Sequence, residues 1–154
     1  IGHGTVLTRL IADIRKAVES VSKTQWNDKA ASVLKLLQAD KKVAWVEAPY
    51  LNKNGEAYDG FEGMFSLSSR SAKTKPSAFD NANRPITEAD GLIYSGAYVD
   101  ANVEFYAQDN KWGRRVNCGL RGVRFAGHGE SFGGGAAASA DEFGAPTALD
   151  DDFV

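Results

Sequence analysis

Apolar residues near the start of the chain recur with helical spacing. In residues 5–23 they stand three or four apart, at Val6, Leu7, Leu10, Ile11, Ile14, Val18 and Val21. This period predicts an amphipathic helix with Thr5 as its N-cap. Residues 28–39 predict a second helix, capped by Asn27 or Asp28, whose buried face comprises Val33, Leu34 and Leu37.

Beyond residue 42 the pattern changes from helical to extended. Alternating or β-branched residues predict four strands, at 43–47, 64–71, 92–107 and 114–126. Residues 108–113 are rich in turn formers, so the last two strands are predicted to be antiparallel neighbours. Gly119 and Gly122 predict a bulge or a bend in the final strand, and residues 72–91 predict a long loop.

The two long strands each have an apolar and a polar side. On the first strand the predicted apolar side is Val99, Ala101, Val103 and Phe105, and the other side is Tyr98, Asp100, Asn102, Glu104 and Tyr106. On the second strand Val116, Cys118 and Leu120 share a side. Such alternation predicts a sheet with one face packed on a core and one face in water.

Length and composition predict one soluble globular domain. The chain has 154 residues, 43% hydrophobic and 25% charged. It has neither a run of 18 apolar residues nor a recognisable secretory leader at its start. Its one cysteine, Cys118, allows neither an internal disulfide nor a cysteine metal cluster. We therefore expect an intracellular protein.

Charge is unevenly distributed along the chain. All 18 Lys and Arg residues precede residue 127, together with 14 of the 20 acidic residues. Residues 1–126 thus carry a formal charge of +4 and residues 127–154 a charge of −6. From Gly127 onward glycine, alanine, serine and acidic residues dominate, which predicts a flexible acidic tail. A basic body with an acidic tail indicates a polyanionic partner.

Candidate catalytic motifs lack the context that their chemistry needs. Residues 129–133 fit G-x-S-x-G, but neither His3 nor His128 follows Ser131, as the α/β-hydrolase order requires. The two histidines lack metal-ligand spacing, so no metal or cofactor is expected. Asp100 and Glu104 share one side of a strand, fewer acids than two-metal nucleases gather. The chain is therefore not expected to be an enzyme.

Cationic and aromatic residues together give the strongest functional signal. Single-stranded nucleic acid is bound by cations that follow the phosphates and by rings that stack on the bases. The predicted phosphate contacts are Arg70, Lys73, Lys75, Lys111, Arg114, Arg115, Arg121 and Arg124, and the predicted stacking residues are Tyr94, Tyr98, Tyr106 and Trp112.

Three long segments resemble a phage-encoded family of single-stranded DNA-binding proteins, formerly catalogued as a domain of unknown function. They are YDGFEGMFSLSSRSAKTKPSAFD (58–80), ITEADGLIYSGAYVDANVEFYAQDN (86–110) and RRVNCGLRGVRFAGHGESFGGG (114–135). The resemblance covers residues 5–135 and the acidic end. It implies an OB-fold, sequence-tolerant binding of single-stranded DNA, and a role in phage replication or recombination in the cytoplasm of an infected bacterium.

The resemblance also gives the acidic end a role. In such proteins an acidic tail ending in an aromatic residue regulates DNA binding and contacts replication proteins, which assigns partner binding to Asp150, Asp151, Asp152 and Phe153. With only four candidate strands, the predicted fold is α+β. It is mainly β with N-terminal helices, an OB-fold-like antiparallel barrel that is open or lacks N-terminal strands.

The predicted domain covers residues 1–126, with a helical insertion at 5–39, and the tail covers 127–154. The helices are expected to cap the barrel or to support a homodimer. Two other functions remain open on the sequence alone. One is a small nuclease or hydrolase, and the other is a protein-interaction or virion module whose basic face meets another protein.

Overall fold

The computed structural model describes residues 3–71 and 73–132. Helix α1 (His3–Trp26) is followed by a 3-10 turn (Asn27–Lys29) and helix α2 (Ala30–Ala39). Both predicted helices are present, but both predicted caps are wrong. Thr5 lies inside α1, and Lys29 occupies the N-cap of α2 without a side-chain cap bond. Helix α1 continues past residue 23, and its last residue, Trp26, lies in the core.

A long antiparallel hairpin forms the centre of the sheet. Its strands are β4 (Tyr98–Asn110) and β5 (Gly113–Gly127), and the turn between them is Lys111–Trp112. Strand β4 starts later than predicted because residues 92–97 form a loop in which Gly96 has a φ of 108°. Strand β5 bulges at Arg121 and Ala126, which lack partners on β4. The Arg121 bulge lies between the two glycines that predicted it.

Short segments from three parts of the chain pair with the second edge of β5, all parallel to it. Val43 bridges to Val116, Arg70 bridges to Gly119, and strand β3 (Ser77–Phe79) pairs with residues 122–124. Strand β3 lies inside the predicted loop 72–91. With only three residues, it is too short for periodicity to reveal.

The predicted strands at 43–47 and 64–71 are reduced to a two-residue ladder between β1 (Trp45–Val46) and β2 (Ser66–Leu67). Along the described chain the main sheet runs β3–β5–β4 and does not close into a barrel. The fold is therefore α+β and OB-like with an open sheet, as the sequence predicted.

The β4–β5 register assigns each residue to one of two faces, because directly paired residues project to the same side of a sheet. The apolar face consists of Val99, Ala101, Val103, Phe105, Ala107 and Asp109 of β4 with Arg114, Val116, Cys118, Leu120, Val123 and Phe125 of β5. The polar face consists of Tyr98, Asp100, Asn102, Glu104, Tyr106 and Gln108 of β4 with Arg115, Asn117, Gly119, Gly122, Arg124 and Gly127 of β5. The predicted sides of both strands are confirmed.

Helices α1 and α2 pack on the half of the apolar face nearest the hairpin turn. The buried core there comprises Val18, Trp26, Val33, Leu37, Val43 and Val116, with Phe105 and Ala107 packed against it. At its edge the indole N–H of Trp26 donates to Asp109 Oδ2 at 2.8 Å. The same oxygen accepts from Arg114 Nε at 3.1 Å. One carboxylate thus joins the end of α1 to both strands of the hairpin.

The residues after β5 fold back on the sheet domain. The backbone N–H of Phe132 donates to Ser95 O at 3.0 Å. A Cβ atom on Gly129 would come within 2.1 Å of Gly96 O, so glycine is required at this close approach. The packed chain therefore extends past the predicted boundary at residue 126, to Phe132. Ser131 is exposed and follows no strand-to-helix turn, unlike the serine of a nucleophile elbow.

Candidate nucleic-acid interface

The polar face has uncompensated positive charge near the hairpin turn. Arg115 faces this side from β5, and Arg70 reaches it through its parallel bridge to Gly119. The Arg70 backbone is held on both sides, since its N–H donates to Cys118 O and its carbonyl accepts from Leu120 N. Among the described residues, no carboxylate lies within ion-pair distance of either guanidinium.

Tyr106 pairs with Asn117, one pair along the polar face from Arg115 and one pair from Gly119, to which Arg70 bridges. A Cβ atom on Gly119 would lie 3.9 Å from the Tyr106 ring, so the ring lies beside a strand position that has no side chain. Tyr106 is 47% exposed. Tyr98, at the far end of β4, is 68% exposed, and its ring approaches Gly129 in the same way. Both tyrosines therefore present ring surface to solvent, Tyr106 beside Gly119 of β5 and Tyr98 beside Gly129 just after the end of β5.

A cleft of about 250 Å³ opens on this side, between the end of α2 and the sheet. Its charged and aromatic lining residues are Lys41, Lys42, Arg70, Tyr106 and Arg115, and Asn117 adds an amide that donates to Gln108. Lys41 and Lys42 were not among the predicted contacts. Their only signal in the sequence is the Lys-Lys pair directly after the predicted second helix.

Positive charge is progressively neutralised away from the cleft. Arg121, the bulge residue, lies 3.8 Å from Glu104, and both side chains are well exposed. Arg124 forms a closer pair, with Nη2 2.5 Å from Asp100 Oδ2, and also donates to Asn83. Arg124 thus ties β5 to β4 and to the turn after β3. Of the described face, the cleft end has the greatest excess of positive charge.

Several predicted contacts do not lie on this face. Arg114 projects to the apolar face, where it pairs with Asp109. Lys75 lines a separate, mainly apolar groove with Leu120 and Val123. Lys73 is exposed in the link between Arg70 and β3. Arg114 and Arg115 are adjacent in β5, and adjacent residues of a strand point to opposite sides of the sheet. Arg114 therefore does not share the polar face with Arg115.

Tyr94 is engaged in an intramolecular contact. Its hydroxyl donates to Gly129 O at 2.9 Å and accepts from Gly129 N at 3.1 Å. Its ring stacks on His128 with centroids 6.0 Å apart. Tyr94 therefore fastens the loop before β4 to the segment after β5, and its ring is half-buried.

Trp112 and Lys111 form the tip of the hairpin. Trp112 is 76% exposed, and Lys111 Nζ lies 4.8 Å from the centre of its ring. This cation–π contact holds a flat ring and a positive charge together at the end of the polar face. The predicted tail residues Asp150, Asp151, Asp152 and Phe153 lie outside the described residues.

A second aromatic cluster was missed from the sequence. Tyr50 and Tyr58 stack with centroids 6.3 Å apart, Tyr58 meets Phe61, and Phe61 contacts Phe132 at 5.4 Å. All but Phe61 are largely exposed. The turn-rich composition of residues 50–63 hid this cluster, because loop residues give no periodic signal.

The described residues hold no group of three His, Cys, Asp or Glu side chains suited to bind a metal ion. Burial raises the pKa of the Cys118 thiol, which makes it a poor nucleophile. Neither helix in the described part is long and apolar enough to cross a membrane. The fold and this face together define an α+β protein whose open sheet has a cationic, aromatic side.

The sequence matches, over residues 5–154, the family described as Enterobacter phage Enc34, ssDNA-binding protein. It is also 36% identical over 138 residues to putative protein p50 of Acyrthosiphon pisum secondary endosymbiont phage 1, which covers 88% of this chain and 71% of that protein. The chain therefore belongs to the Enc34 single-stranded DNA-binding protein family, and the predicted resemblance is confirmed.

Two solved structures share its fold. One is the single-stranded DNA-binding protein from bacteriophage Enc34, with a TM-score of 0.57 and 21% identity, covering 92% of this chain and 71% of that one. The other is the same phage protein in complex with ssDNA, with a TM-score of 0.51 and 18% identity, covering 72% and 68%.

Proposed function

We propose that this protein binds single-stranded DNA along the polar face of the β4–β5 hairpin, without catalysis and without strong sequence preference. One observation carries the proposal: Arg70 and Arg115 have no ion-pair partner among the described residues, and the exposed Tyr106 ring lines the same cleft as both arginines. Free cations bind phosphates and a flat ring stacks on any base. Family membership supports the same conclusion.

The arrangement favours unpaired over paired strands. Tyr98, Tyr106 and Trp112 present ring faces, and stacking on a ring requires a base that is not already stacked in a duplex. Stacking does not depend on base identity, because every base has a π-face. Binding is therefore expected to tolerate most sequences. Lys73, Lys111 and Arg121 are retained as peripheral phosphate contacts, since all three are exposed.

A titration of oligo-dT at two salt concentrations tests the proposal. Trp112 is exposed beside the proposed track, so quenching of tryptophan fluorescence reports binding. Each phosphate neutralised on a single strand contributes about −0.7 to the slope of log affinity against log salt. A slope steeper than about −2 is expected from three or more such contacts. Absence of binding at low salt, with the tail removed, would exclude this function.

The acidic tail is proposed to compete with DNA for the cationic face and to recruit partner proteins. Residues 127–154 carry a formal charge of −6, and Asp150–Asp152 adjoin Phe153. Opposite charges attract the tail to the same arginines that bind phosphate. Deletion of residues 136–154 should tighten oligo-dT binding, most strongly at low salt. Unchanged affinity would leave recruitment or solubility as the role of the tail.

The biological setting is proposed from the relatives. The family is described from Enterobacter phage Enc34, and the similar p50 protein is from another phage. A protein that coats single strands would act in phage DNA replication or recombination, in the cytoplasm of the infected bacterium. Deletion of the gene from its phage should then reduce the yield of replicated phage DNA, whereas normal yield would exclude an essential replication role.

Two alternatives have their own tests. The exposed aromatic cluster at Tyr50, Tyr58 and Phe132, with acidic Asp59 and Glu62 nearby in sequence, favours an interaction module. Such a module would bind its protein partner with an affinity that does not depend on salt, and it would not bind DNA. A nuclease would shorten labelled single strands when Mg²⁺ or Mn²⁺ is added.

A further inference from the structure

Lys41 adopts a backbone conformation that lysine rarely takes. Its φ is 55°, and the other described residues with positive φ are all asparagine or glycine. The residue closes helix α2 in a Schellman motif. The N–H of Lys41 donates to Gln38 O, and the N–H of Lys42 donates to Leu37 O. Residue 41 thus occupies the position after the C-cap, where glycine is usual because it has no Cβ atom to strain this conformation.

The residue at this strained position lines the cleft on the polar face and also borders the neighbouring cavity beside Arg15 and Glu47. Lys41 and Lys42 line this cleft together with Arg70, Tyr106 and Arg115. Lys42 is paired with Asp40 at 3.3 Å, whereas no described carboxylate lies within ion-pair distance of Lys41. The carbonyl end of a helix carries partial negative charge, which would repel a phosphate. A lysine at this position offsets that charge, and glycine would not.

The volume of the cleft limits what it can hold. At about 250 Å³ it lies just below the roughly 300–1,000 Å³ of pockets that enclose drug-sized ligands. Its lining combines cations with one aromatic ring, as one phosphate and one unpaired base require.

We infer that this cleft holds one nucleotide of the bound strand, with the phosphate between Lys41, Arg70 and Arg115 and the base against Tyr106. Position 41 carries lysine rather than glycine because binding needs the positive charge, although the left-handed backbone conformation lowers stability. The inference rests on the proposed single-stranded DNA binding and names the part of the face where the strand is held most firmly. Strain kept at a position with a functional side chain is a known feature of binding sites.

The first test is Lys41→Gly, which separates stability from binding. Relief of the left-handed strain should raise the Tm by about 2–5 °C. Affinity for dT30 at low salt should fall by about three- to tenfold, and the salt slope should lose about 0.7. Lys41→Arg should keep the wild-type affinity. Lys35→Ala removes the same charge from an exposed site within α2 and should leave both affinity and slope nearly unchanged.

A Lys41→Gly protein that binds dT30 as tightly as the wild type would overturn the inference and leave the proposed function intact. A wild-type protein that does not bind dT30 would instead overturn the proposed function. The two failures are therefore distinguishable in one set of titrations.

The second test separates base contacts from phosphate contacts with a 30-residue abasic strand. Tyr106→Ala should weaken dT30 binding by about 5- to 150-fold, the equivalent of about 1–3 kcal/mol for one stacked base. It should leave affinity for the abasic strand unchanged, and Tyr106→Phe should bind both strands as the wild type does. Lys41→Gly should weaken both strands equally. Equal losses on both strands for Tyr106→Ala would place the base elsewhere and overturn the assignment.

Discussion

The two faces of the β4–β5 hairpin are built from the same two strands but meet different surroundings. The apolar face near the turn packs on α1 and α2 and buries Val116 almost completely. The polar face carries arginines, tyrosines and glycines and is open. One hairpin can therefore hold the domain together with one set of alternate residues and present the other set to a ligand. Changes on the two faces should therefore have separable effects.

The largest expected effect is on the apolar face. Trp26→Ala removes a buried ring and the hydrogen bond to Asp109, and should lower the free energy of unfolding by about 3–5 kcal/mol. Trp112→Ala removes the same side chain from an exposed turn and should change stability by no more than about 0.5 kcal/mol while weakening dT30 binding. Urea denaturation measures the stabilities. Similar losses for the two variants would contradict the division between faces.

Neighbouring arginines provide a sharper comparison. Arg115 lies on the polar face and Arg114 on the apolar face, where Arg114 pairs with Asp109. Arg115→Ala should reduce the salt slope of dT30 binding by about 0.7 with little change in stability. Arg114→Ala should leave the slope unchanged and lower stability by about 0.5–1 kcal/mol, as expected for a partly exposed ion pair. Equal salt slopes of dT30 binding for the two variants would mean that DNA does not bind the polar face in preference to the apolar face.

Sequence pattern predicted the faces themselves but not every residue's part in them. Alternation placed the apolar and polar sides of β4 and β5 correctly, because a strand repeats every two residues and the core selects one side. Arg114 and Arg115 were both predicted as phosphate contacts because they are adjacent in the sequence. Alternation along a strand, however, puts adjacent residues on opposite faces. Tyr94 was predicted as a stacking residue, although its hydroxyl is bonded to Gly129, 35 residues away.

A smaller effect concerns the link between α1 and the segment after β1. Arg15 donates two hydrogen bonds to Glu47 at 2.5 and 2.6 Å. These bonds hold the pKa of Glu47 below its ordinary value of 4.5. A lowered pKa contributes stability that is present above pH 4.5 and is lost as the pH falls through the folded-state pKa.

Urea midpoints measured between pH 7 and pH 3 should therefore fall less steeply for Glu47→Gln than for the wild type. Asp80 contributes a remaining acid dependence in both proteins, because the backbone N–H groups of Arg84 and Ala82 and the Arg84 guanidinium hold its pKa low. Glu62→Gln, in an exposed loop, serves as the control. Parallel pH profiles for Glu47→Gln and the wild type would show that the ion pair adds nothing.

The smallest expected effect is on the reactivity of the Cys118 thiol. Cys118 is buried on the apolar face, and its raised thiol pKa leaves little thiolate at neutral pH. An aromatic disulfide reagent should label it slowly in the native protein and rapidly in urea. Equally fast labelling in the native protein would contradict its burial on the apolar face.

Two helices, a long amphipathic hairpin and a basic body were predictable from the sequence, because each depends on periodicity or composition within a continuous segment. The tertiary structure alone pairs Val43, Arg70 and β3 with one edge of β5, since these contacts join residues 45 to 73 positions apart that share no local pattern. The tertiary structure also determines which cationic side chains have no ion-pair partner among the described residues. Arg124 is neutralised by Asp100 across the sheet, whereas Lys41, Arg70 and Arg115 meet at one cleft, because charge balance depends on distance in space rather than along the chain.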